Sequence, residues 1–207
     1  MIGAVQLREV KDRFLSIPWV YDTIRPLAIG YIDHDRLASF CAIAPSDRVF
    51  DLGCGTGALV EHLRCERYLG VDLDASAVAR ARRFQAAHVR FIESDDWDEA
   101  FRALAPSIVL MIGLVHHVSD RDFESILGRI RRASTALPRL VTFETTYLPA
   151  APLNNFLSRL DRGRFVRRPE EYDALFGRNG LRVEHREVLP TRLRFARYIG
   201  YRLRFLQ

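Results

Sequence analysis

The chain has 207 residues, of which 48% are apolar and 28% charged, with a formal net charge of +5 and a pI of about 9.4. This composition excludes a disordered chain and fits one α/β domain able to bury roughly 70% of its unfolded surface. The longest apolar run, residues 108–115, is too short to cross a bilayer, and the start of the chain lacks the pattern of a signal peptide. We therefore expect a cytoplasmic protein.

The charge and the cysteines restrict the partners. A net charge of +5 permits contact with nucleic acid or an anionic membrane, but the basic residues form no block, so nucleic acid is not the expected partner. Cys41, Cys54 and Cys65 are odd in number and lack C-x-x-C spacing, which argues against a disulfide framework and a metal site. The sequence predicts no bound metal and leaves the oligomeric state open.

In chain order, residues 1–46 come first and carry apolar residues at helical spacing, which predicts a helical N-terminal cap. Residues 49–52 then predict a short buried strand, and a helix is expected from Ala58. Between them Gly53, Gly55 and Gly57 alternate, and glycine lets backbone N–H groups approach a ligand closely. A strand, a glycine turn and a helix N-terminus together indicate a nucleotide-type site at the carboxyl edge of a parallel sheet.

Charge narrows the choice of ligand. Gly53, Gly55 and Ala58 satisfy the dinucleotide pattern G-x-G-x-x-G/A, so NAD is an alternative. Asp51, at the end of the strand, is expected to oppose a diphosphate and favour a cationic group. The run from Asp51 to Gly57 resembles the first motif of the class I S-adenosylmethionine (SAM) methyltransferases. SAM carries an ammonium and a sulfonium and no phosphate, so the resemblance favours SAM over NAD.

The resemblance implies an α/β fold: a Rossmann-like, doubly wound sheet of seven strands, mostly parallel with the last strand antiparallel, plus the N-terminal helical cap. It implies one methyltransferase domain made of the cap (1–46), a SAM-binding core (47–147) and an acceptor-side insertion with the final strands (148–207). The residues it places at the cofactor are Asp51, Gly53, Cys54, Gly55, Gly57, Asp72, Leu73 and Asp95.

The second predicted strand, residues 68–72, ends in an acid at the position of a ribose ligand. Asp72 follows Asp51 by 21 residues, where this architecture places the acid that binds the ribose hydroxyls. By the resemblance, Leu73 lies against the adenine. Asp74 precedes a helical segment and is predicted to cap it.

The third predicted strand, residues 89–93, is followed by two adjacent acids. The resemblance assigns Asp95 to the adenine amino group, but its neighbour Asp96 leaves that choice open. One of the two, with Asp96 favoured, is also expected to cap the next helix.

The almost wholly apolar run at residues 107–113 predicts a central parallel strand, which ends near His116 and His117. Similar small-molecule methyltransferases carry Leu-His-His here, whereas DNA and RNA amino-methyltransferases carry an Asn-Pro-Pro-Tyr motif. A histidine near neutrality can remove a proton from the acceptor, so either histidine is a candidate catalytic base, with His117 preferred. Both can instead fix the loop, because methyl transfer also proceeds by orientation alone.

The acceptor side is predicted from the later segments. Glu144 and Tyr147, at the end of the fifth strand (residues 140–144), are candidate substrate contacts, as is Tyr21 in the cap, and Asp120 is expected to cap the helix before that strand. Residues 161–172 resemble a subgroup of bacterial type 11/12 methyltransferases. Their arginines offer either a pocket for an anionic acceptor or a solvated loop: Arg162, Arg164 and Arg167.

These observations predict a SAM-dependent methyltransferase that acts on an oxygen or nitrogen of a small-molecule acceptor. One alternative is a SAM-binding protein of the same fold without methyl transfer, either a cyclase-like catalyst or a partner subunit. Another is an NAD-dependent oxidoreductase. The sequence does not identify the acceptor.

Overall fold

The computed structural model describes residues 32–161, 163–194 and 196–206. Tyr21 and most of the predicted N-terminal cap lie outside the described residues. From the cap region the structure describes helix α1 (His34–Cys41), which Asp33 caps by accepting a hydrogen bond from the Arg36 amide at 3.1 Å.

Seven strands form one sheet in the order β3-β2-β1-β4-β5-β7-β6. All neighbouring pairs are parallel except those made by β7, which runs antiparallel to both β5 and β6. The predicted fold class is therefore confirmed. The strands are β1 (Arg48–Leu52), β2 (Arg67–Asp72), β3 (Val89–Glu93), β4 (Ile108–Ile112), β5 (Arg139–Thr145), β6 (Leu181–Pro190) and β7 (Arg197–Phe205).

Helices connect the strands and cover both faces of the sheet. The α-helices after α1 are α2 (Ala75–Ala81), α3 (Asp98–Leu104), α4 (Asp120–Ala133), α5 (Pro152–Leu160) and α6 (Pro169–Arg178). Three 3₁₀ helices are also present: Ala58–His62, Arg82–Phe84 and Val115–His117. Within the described ranges, no helix has the length and apolar content needed to cross a bilayer.

Two local predictions differ from the structure. The helix expected from Ala58 is a five-residue 3₁₀ helix, because the chain turns extended at Leu63 to reach β2. Asp120 does not cap α4; Ser119 does, and its hydroxyl accepts a hydrogen bond from the Asp122 amide at 3.1 Å. Asp120 is the first residue of the helix, which leaves its carboxylate available for other partners.

Strand β4 shows why its sequence is apolar throughout. Val109 and Met111 pack in one core cluster with residues of α3, α4 and α6, while Ile108 and Leu110 pack on the other face with residues of α1 and α2. All four side chains are completely buried. A parallel strand covered on both faces requires this composition.

The sheet order places two loops side by side. The chain leaves β1 toward β2 and leaves β4 toward β5, on opposite sides, while β1 and β4 themselves are paired from Val49 to Asp51. The turn at residues 53–57, called the glycine turn, therefore lies next to residues 113–119, called the histidine loop. In doubly wound sheets ligands bind at this topological switch point.

Candidate active site

The glycine turn uses its amides internally. Gly53, Gly55 and Gly57 all have positive φ, from 54° to 77°. The amides of Gly53 and Cys54 donate to the Val71 carbonyl at 2.8 and 3.1 Å, and that of Gly57 donates to the Cys54 carbonyl at 3.0 Å. The Gly55 amide donates to the Asp72 carboxylate at 2.7 Å. These N–H groups were expected to face a ligand, but they hold the turn in shape instead.

What the turn offers a ligand is space. A Cβ added at Gly57 would lie 2.8 Å from the Phe91 ring, and one at Gly53 would lie 3.2 Å from Leu114. A Cβ at Gly55 would meet no atom within 4 Å. Gly53 and Gly57 are thus needed for packing, whereas Gly55 presents bare backbone to an open volume.

Asp72 borders that volume, and Leu73 follows it in the chain. Asp72 is half-buried, and its two carboxylate oxygens accept hydrogen bonds from the amides of Gly55 and, at 2.9 Å, Asp74. An ionised carboxylate has about four lone-pair sites, so capacity remains for ribose hydroxyls. Leu73 is 72% exposed, the largest exposed fraction among the large apolar side chains that the structure describes. Asp74 caps α2 by accepting from the amides of Ser76 and Ala77, which confirms its predicted role.

Asp51 lies in the interior rather than at an exposed strand end. It is 3% exposed, its Oδ2 accepts a hydrogen bond from the Tyr68 hydroxyl at 2.6 Å, and its buried Oδ1 has no hydrogen-bond partner among the described residues. Burial raises the pKa of Asp51 to about 7, although the Tyr68 hydrogen bond opposes this and the charge of Asp72 adds to it. At neutral pH the Asp51 carboxyl therefore carries, on average, only part of the negative charge expected at this position.

The two acids after β3 are both exposed. Neither caps α3, whose N-cap residue is Trp97 and which has no side-chain cap. Asp96 instead bonds through its backbone to the Ser94 hydroxyl, and the Asp95 carbonyl accepts from Arg129 at 2.9 Å. Both carboxylates thus stay exposed, and Asp95 remains the predicted adenine contact.

Glu144 organises the histidine loop from inside the protein. It is completely buried, and Oε2 accepts hydrogen bonds from the His116 amide at 3.1 Å and from His116 Nδ1 at 2.5 Å. Oε1 accepts from the Val115 amide at 3.2 Å and from the Thr142 hydroxyl. The structure does not place this carboxylate at an acceptor, as the sequence suggested, because it is buried and three of its four bonds hold the loop.

The two histidines differ in exposure. The His116 side chain is 1% exposed, and its Nε2 lies 3.4 Å from Oδ1 of Asp161. Burial alone would lower the pKa of His116, but the carboxylates of Asp161 and Glu144 outweigh it and raise the pKa to about 9. His117 is exposed, with its ring centroid 4.2 Å from that of His116. His116 is therefore a poor base at neutral pH, and His117 is the histidine that a solvent-borne molecule reaches.

Residues 163–167, called the strap, close over the histidine loop. The Phe165 amide donates to the His116 carbonyl at 3.0 Å. The Arg167 guanidinium donates to the carbonyls of Val115 at 3.0 Å and Val118 at 3.3 Å, and to Asp120 at 2.7 Å. Arg167 is only 8% exposed, so the structure does not support it as part of a pocket for an anionic acceptor.

Of the other predicted acceptor-side residues, Arg164 is exposed and Tyr147 is half-buried. The Tyr147 amide lies 3.4 Å from the Arg167 carbonyl, so Tyr147 borders the strap. Tyr21 and Arg162 lie outside the described residues.

Sequence reasoning missed two residues that lie against His116, Gly163 in the strap and Asp161 just before it. Asp161 follows His116 by 45 positions, and no spacing rule links them. Gly163 packs so closely that a Cβ there would lie 2.2 Å from His116 Cδ2. The one available signal was a glycine between two arginines in the insertion, which the sequence analysis treated only as part of an arginine-rich run.

Comparison with known proteins agrees with this geometry. Residues 49–135, from β1 to the start of the loop before β5, match the family model of the methyltransferase domain. The Synechococcus elongatus ribosomal RNA small subunit methyltransferase A is 31% identical over 126 residues, which cover 55% of this chain and 43% of the relative. The chain thus spans less than half the length of the curated relatives it matches.

Solved structures share the fold. CalO1, a methyltransferase in calicheamicin biosynthesis solved in its SAH-bound form, superimposes with a TM-score of 0.66 at 21% identity, covering 96% of this chain and 61% of that one. The mitomycin 7-O-methyltransferase MmcR gives a TM-score of 0.60 at 22% identity, covering 83% and 52%. The similarity to a methyltransferase domain thus covers residues 49–135, and the solved methyltransferases share the fold. The matched segment contains both the glycine turn and the histidine loop, whereas the strap lies beyond it.

Proposed function

We propose that the chain is a methyltransferase that binds SAM and transfers its methyl group to an oxygen or nitrogen of a small molecule. The open position at Gly55, beside the Asp72 carboxylate, carries this proposal. Asp72 would hold the ribose hydroxyls, Leu73 would cover the adenine, and Asp95 would meet the adenine amino group. SAM supplies a methyl group made electrophilic by its bond to a sulfonium.

The same contacts disfavour a dinucleotide. A diphosphate requires free amides, but those of Gly53, Gly55 and Gly57 are already bonded within the turn. Asp72 also places a negative charge directly beside the Gly55 amide. Moreover, the 3₁₀ helix after the turn has five residues, which gives a weak dipole for an anion. NAD is therefore the weaker candidate.

The histidine loop divides two roles between adjacent residues. His116, buried against Glu144, fixes the loop, and His117 is exposed where an acceptor proton can be taken up. Glu144 acts through the loop and is a positioning residue. Orientation of the acceptor supplies the remainder of the rate enhancement.

The histidine loop and the similar proteins both support a small-molecule acceptor. The loop carries Leu114-Val115-His116-His117 rather than an Asn-Pro-Pro-Tyr motif, which supports a small molecule over a nucleobase. CalO1 is a methyltransferase in calicheamicin biosynthesis, and MmcR is a mitomycin 7-O-methyltransferase. Their names support an acceptor of the small-molecule class. The match to a ribosomal RNA methyltransferase makes RNA the second candidate.

Calorimetric titration with SAM and with S-adenosylhomocysteine tests the cofactor site. We expect Asp72→Asn to weaken SAM binding at least tenfold, while Glu93→Gln, the matched change at the adjacent strand end, leaves it unchanged. Gly55→Ala should also weaken binding, because its methyl group enters the open volume. Binding of NADH without binding of SAM would overturn the proposal and favour an NAD-dependent oxidoreductase.

Methyl transfer itself is tested with SAM labelled in its methyl group. We expect label in the small-molecule fraction of a cell extract, and loss of that label in Asp72→Asn. Label in purified ribosomal RNA instead would establish the second candidate. Tight SAM binding with label in neither fraction would favour a SAM-binding protein that transfers no methyl group.

A further inference from the structure

We propose that His116, His117 and Asp161 form a binding site for one divalent transition-metal ion. Each residue offers one ligand atom, and the three atoms lie within 4.8 Å of one another. The sequence analysis excluded a metal from the cysteines alone, and these side chains come together only in the folded chain.

The distances suit a metal ion. His116 Nε2 and Asp161 Oδ1 are 3.4 Å apart, with side chains 1% and 5% exposed. Bonds of about 2.1 Å in a tetrahedral zinc site place neighbouring ligand atoms about 3.4 Å apart. Two of the three ligands therefore already stand at the separation that a shared ion requires.

Glu144 provides the outer contact that metal-binding histidines usually have. Its carboxylate lies 2.5 Å from His116 Nδ1, which favours a proton on Nδ1 and directs the lone pair of Nε2 toward Asp161. Nε2 is buried and has no hydrogen-bond partner within normal limits among the described residues. A nitrogen lone pair and a carboxylate oxygen that face each other need a cation between them. In the metal-free protein a second ring proton on His116 fills this position, and a bound metal ion would replace it.

Neighbouring elements hold Asp161 in place. The Gly163 amide donates to Asp161 Oδ1 at 2.9 Å, and the Thr145 hydroxyl lies 3.4 Å from Oδ2. Glu144 and Thr145 are consecutive at the end of β5, so one strand supports both the Asp161 and the His116 ligand. Such a supported arrangement reduces the ordering cost of binding.

The donor set selects the kind of ion. Two imidazoles and one carboxylate suit Zn²⁺, Mn²⁺, Fe²⁺ or Co²⁺ rather than Ca²⁺ or Mg²⁺, which prefer oxygen ligands. Three protein ligands leave at least one position open, as in catalytic zinc sites. The exposed His117 places that side of the cluster at the solvent.

This site would define the acceptor more closely, a step that rests on the proposed function. A hydroxyl oxygen at the open position would lose its proton to solvent near neutral pH, because a bound ion lowers the pKa of its oxygen ligand. In the metal-bound protein His117 would then be a ligand and not a base, and the ion would act as a Lewis acid while the acceptor proton leaves to solvent. The favoured acceptor is a hydroxyl compound rather than an amine.

The test uses the full chain without a polyhistidine tag, freed of metal by a chelator. Titration with Zn²⁺ and with Mn²⁺, followed by calorimetry, should show one ion per chain, and Co²⁺ should give the visible absorption of a bound ion. We expect Asp161→Asn and His117→Gln to weaken binding at least tenfold. His88→Gln, an exposed histidine outside the cluster, is the matched control and should bind as the parent does.

Several results would overturn the site: no binding of these ions at millimolar concentration, equal binding by both variants, or equal loss in the control. Nitrogen NMR that shows His116 with both ring protons at saturating Zn²⁺ would also do so. Melting curves without metal check that the variants fold. SAM binding is measured in the presence of chelator, so a failure of the metal site and a failure of the proposed function are separate outcomes.

Discussion

The glycine turn and the histidine loop lie side by side but are held in different ways. The turn is fixed by contacts between residues close in sequence, such as the Gly55 amide on the Asp72 carboxylate, 17 positions away. The loop is fixed by distant residues: Glu144 bonds to the His116 amide across 28 positions, and Arg167 bonds to the Val115 carbonyl across 52.

The two regions also differ in exposure, and this difference separates their tasks. On the turn side Leu73 is 72% exposed, and a Cβ added at Gly55 would meet no atom within 4 Å. On the loop side Glu144 and His116 are buried, and the scaffold presents His117. Contacts within a local motif thus shape the glycine turn, whereas long-range packing sets the positions of the two histidines.

The largest expected effect on the free energy of unfolding comes from a substitution on the turn side. Asp51→Asn should raise stability by about 2 kcal/mol at pH 5 and by up to about 4 kcal/mol at pH 8. The pKa of Asp51 is about 7 in the folded protein, against 3.8 ordinarily, so the native state loses stability as pH rises between these values. Urea unfolding at both pH values measures this. An equal difference at both would mean that Asp51 is ionised in the folded state, and Glu93→Gln serves as the exposed control.

The next largest effect on stability is expected on the loop side, where Arg167 and Arg178 both form an ion pair with Asp120. Arg167→Met should cost about 3 kcal/mol, because it leaves the carbonyls of Val115, Phe165 and Val118 without their donor. Arg178→Met removes the other partner of Asp120, an exposed pair at 2.8 Å, and should cost less than about 1 kcal/mol. Equal costs in urea unfolding would show that the strap does not stabilise the loop.

A smaller effect is expected from the packing of the strap on His116. Gly163→Ala should cost about 2 kcal/mol, because the new Cβ would lie 2.2 Å from the imidazole and the strap must shift. Gly177→Ala, in helix α6 with no atom within 4 Å of its added Cβ, should be neutral or stabilising by up to about 1 kcal/mol. If the thermal unfolding of the two variants is the same, the close approach is not present in solution.

The smallest effect concerns the helix that leaves the loop. Ser119→Ala should cost about 1 kcal/mol in urea unfolding, since it removes the cap of α4. Ser119→Asp keeps a capping oxygen and should restore most of the loss. A neutral Ser119→Ala would indicate that the strap, rather than the cap, fixes the start of this helix.

Much of the fold could be predicted because it is encoded by neighbouring residues. The apolar run at residues 107–113 gave the central strand, and Asp74 was identified as a cap from the helix that follows it. Where two local solutions compete, sequence reasoning failed: Ser119 and Asp120 both suit an N-cap. The five-residue 3₁₀ helix after the turn was missed because its length depends on the return to β2.

The candidate site was predictable only in part. The glycines and Asp72 could be proposed from the sequence because their spacing is fixed within one βαβ unit. Three features could not be predicted: the burial of Asp51, the inward position of Glu144 and the internal pairing of Arg167. Each depends on neighbours from other strands or from the strap. From the sequence alone, a carboxylate at a strand end that faces solvent cannot be distinguished from one that faces a buried histidine.

The sequence by itself therefore determined the order of strands and helices, the glycine turn and the class of cofactor to expect, since these follow from periodicity and short spacings. Only the tertiary structure decided which acids remain charged and which histidine is exposed. It also decided that Asp161 stands 3.4 Å from His116. The reason is physical: burial and long-range contacts set protonation and direction, and both arise only when segments far apart in the chain pack together.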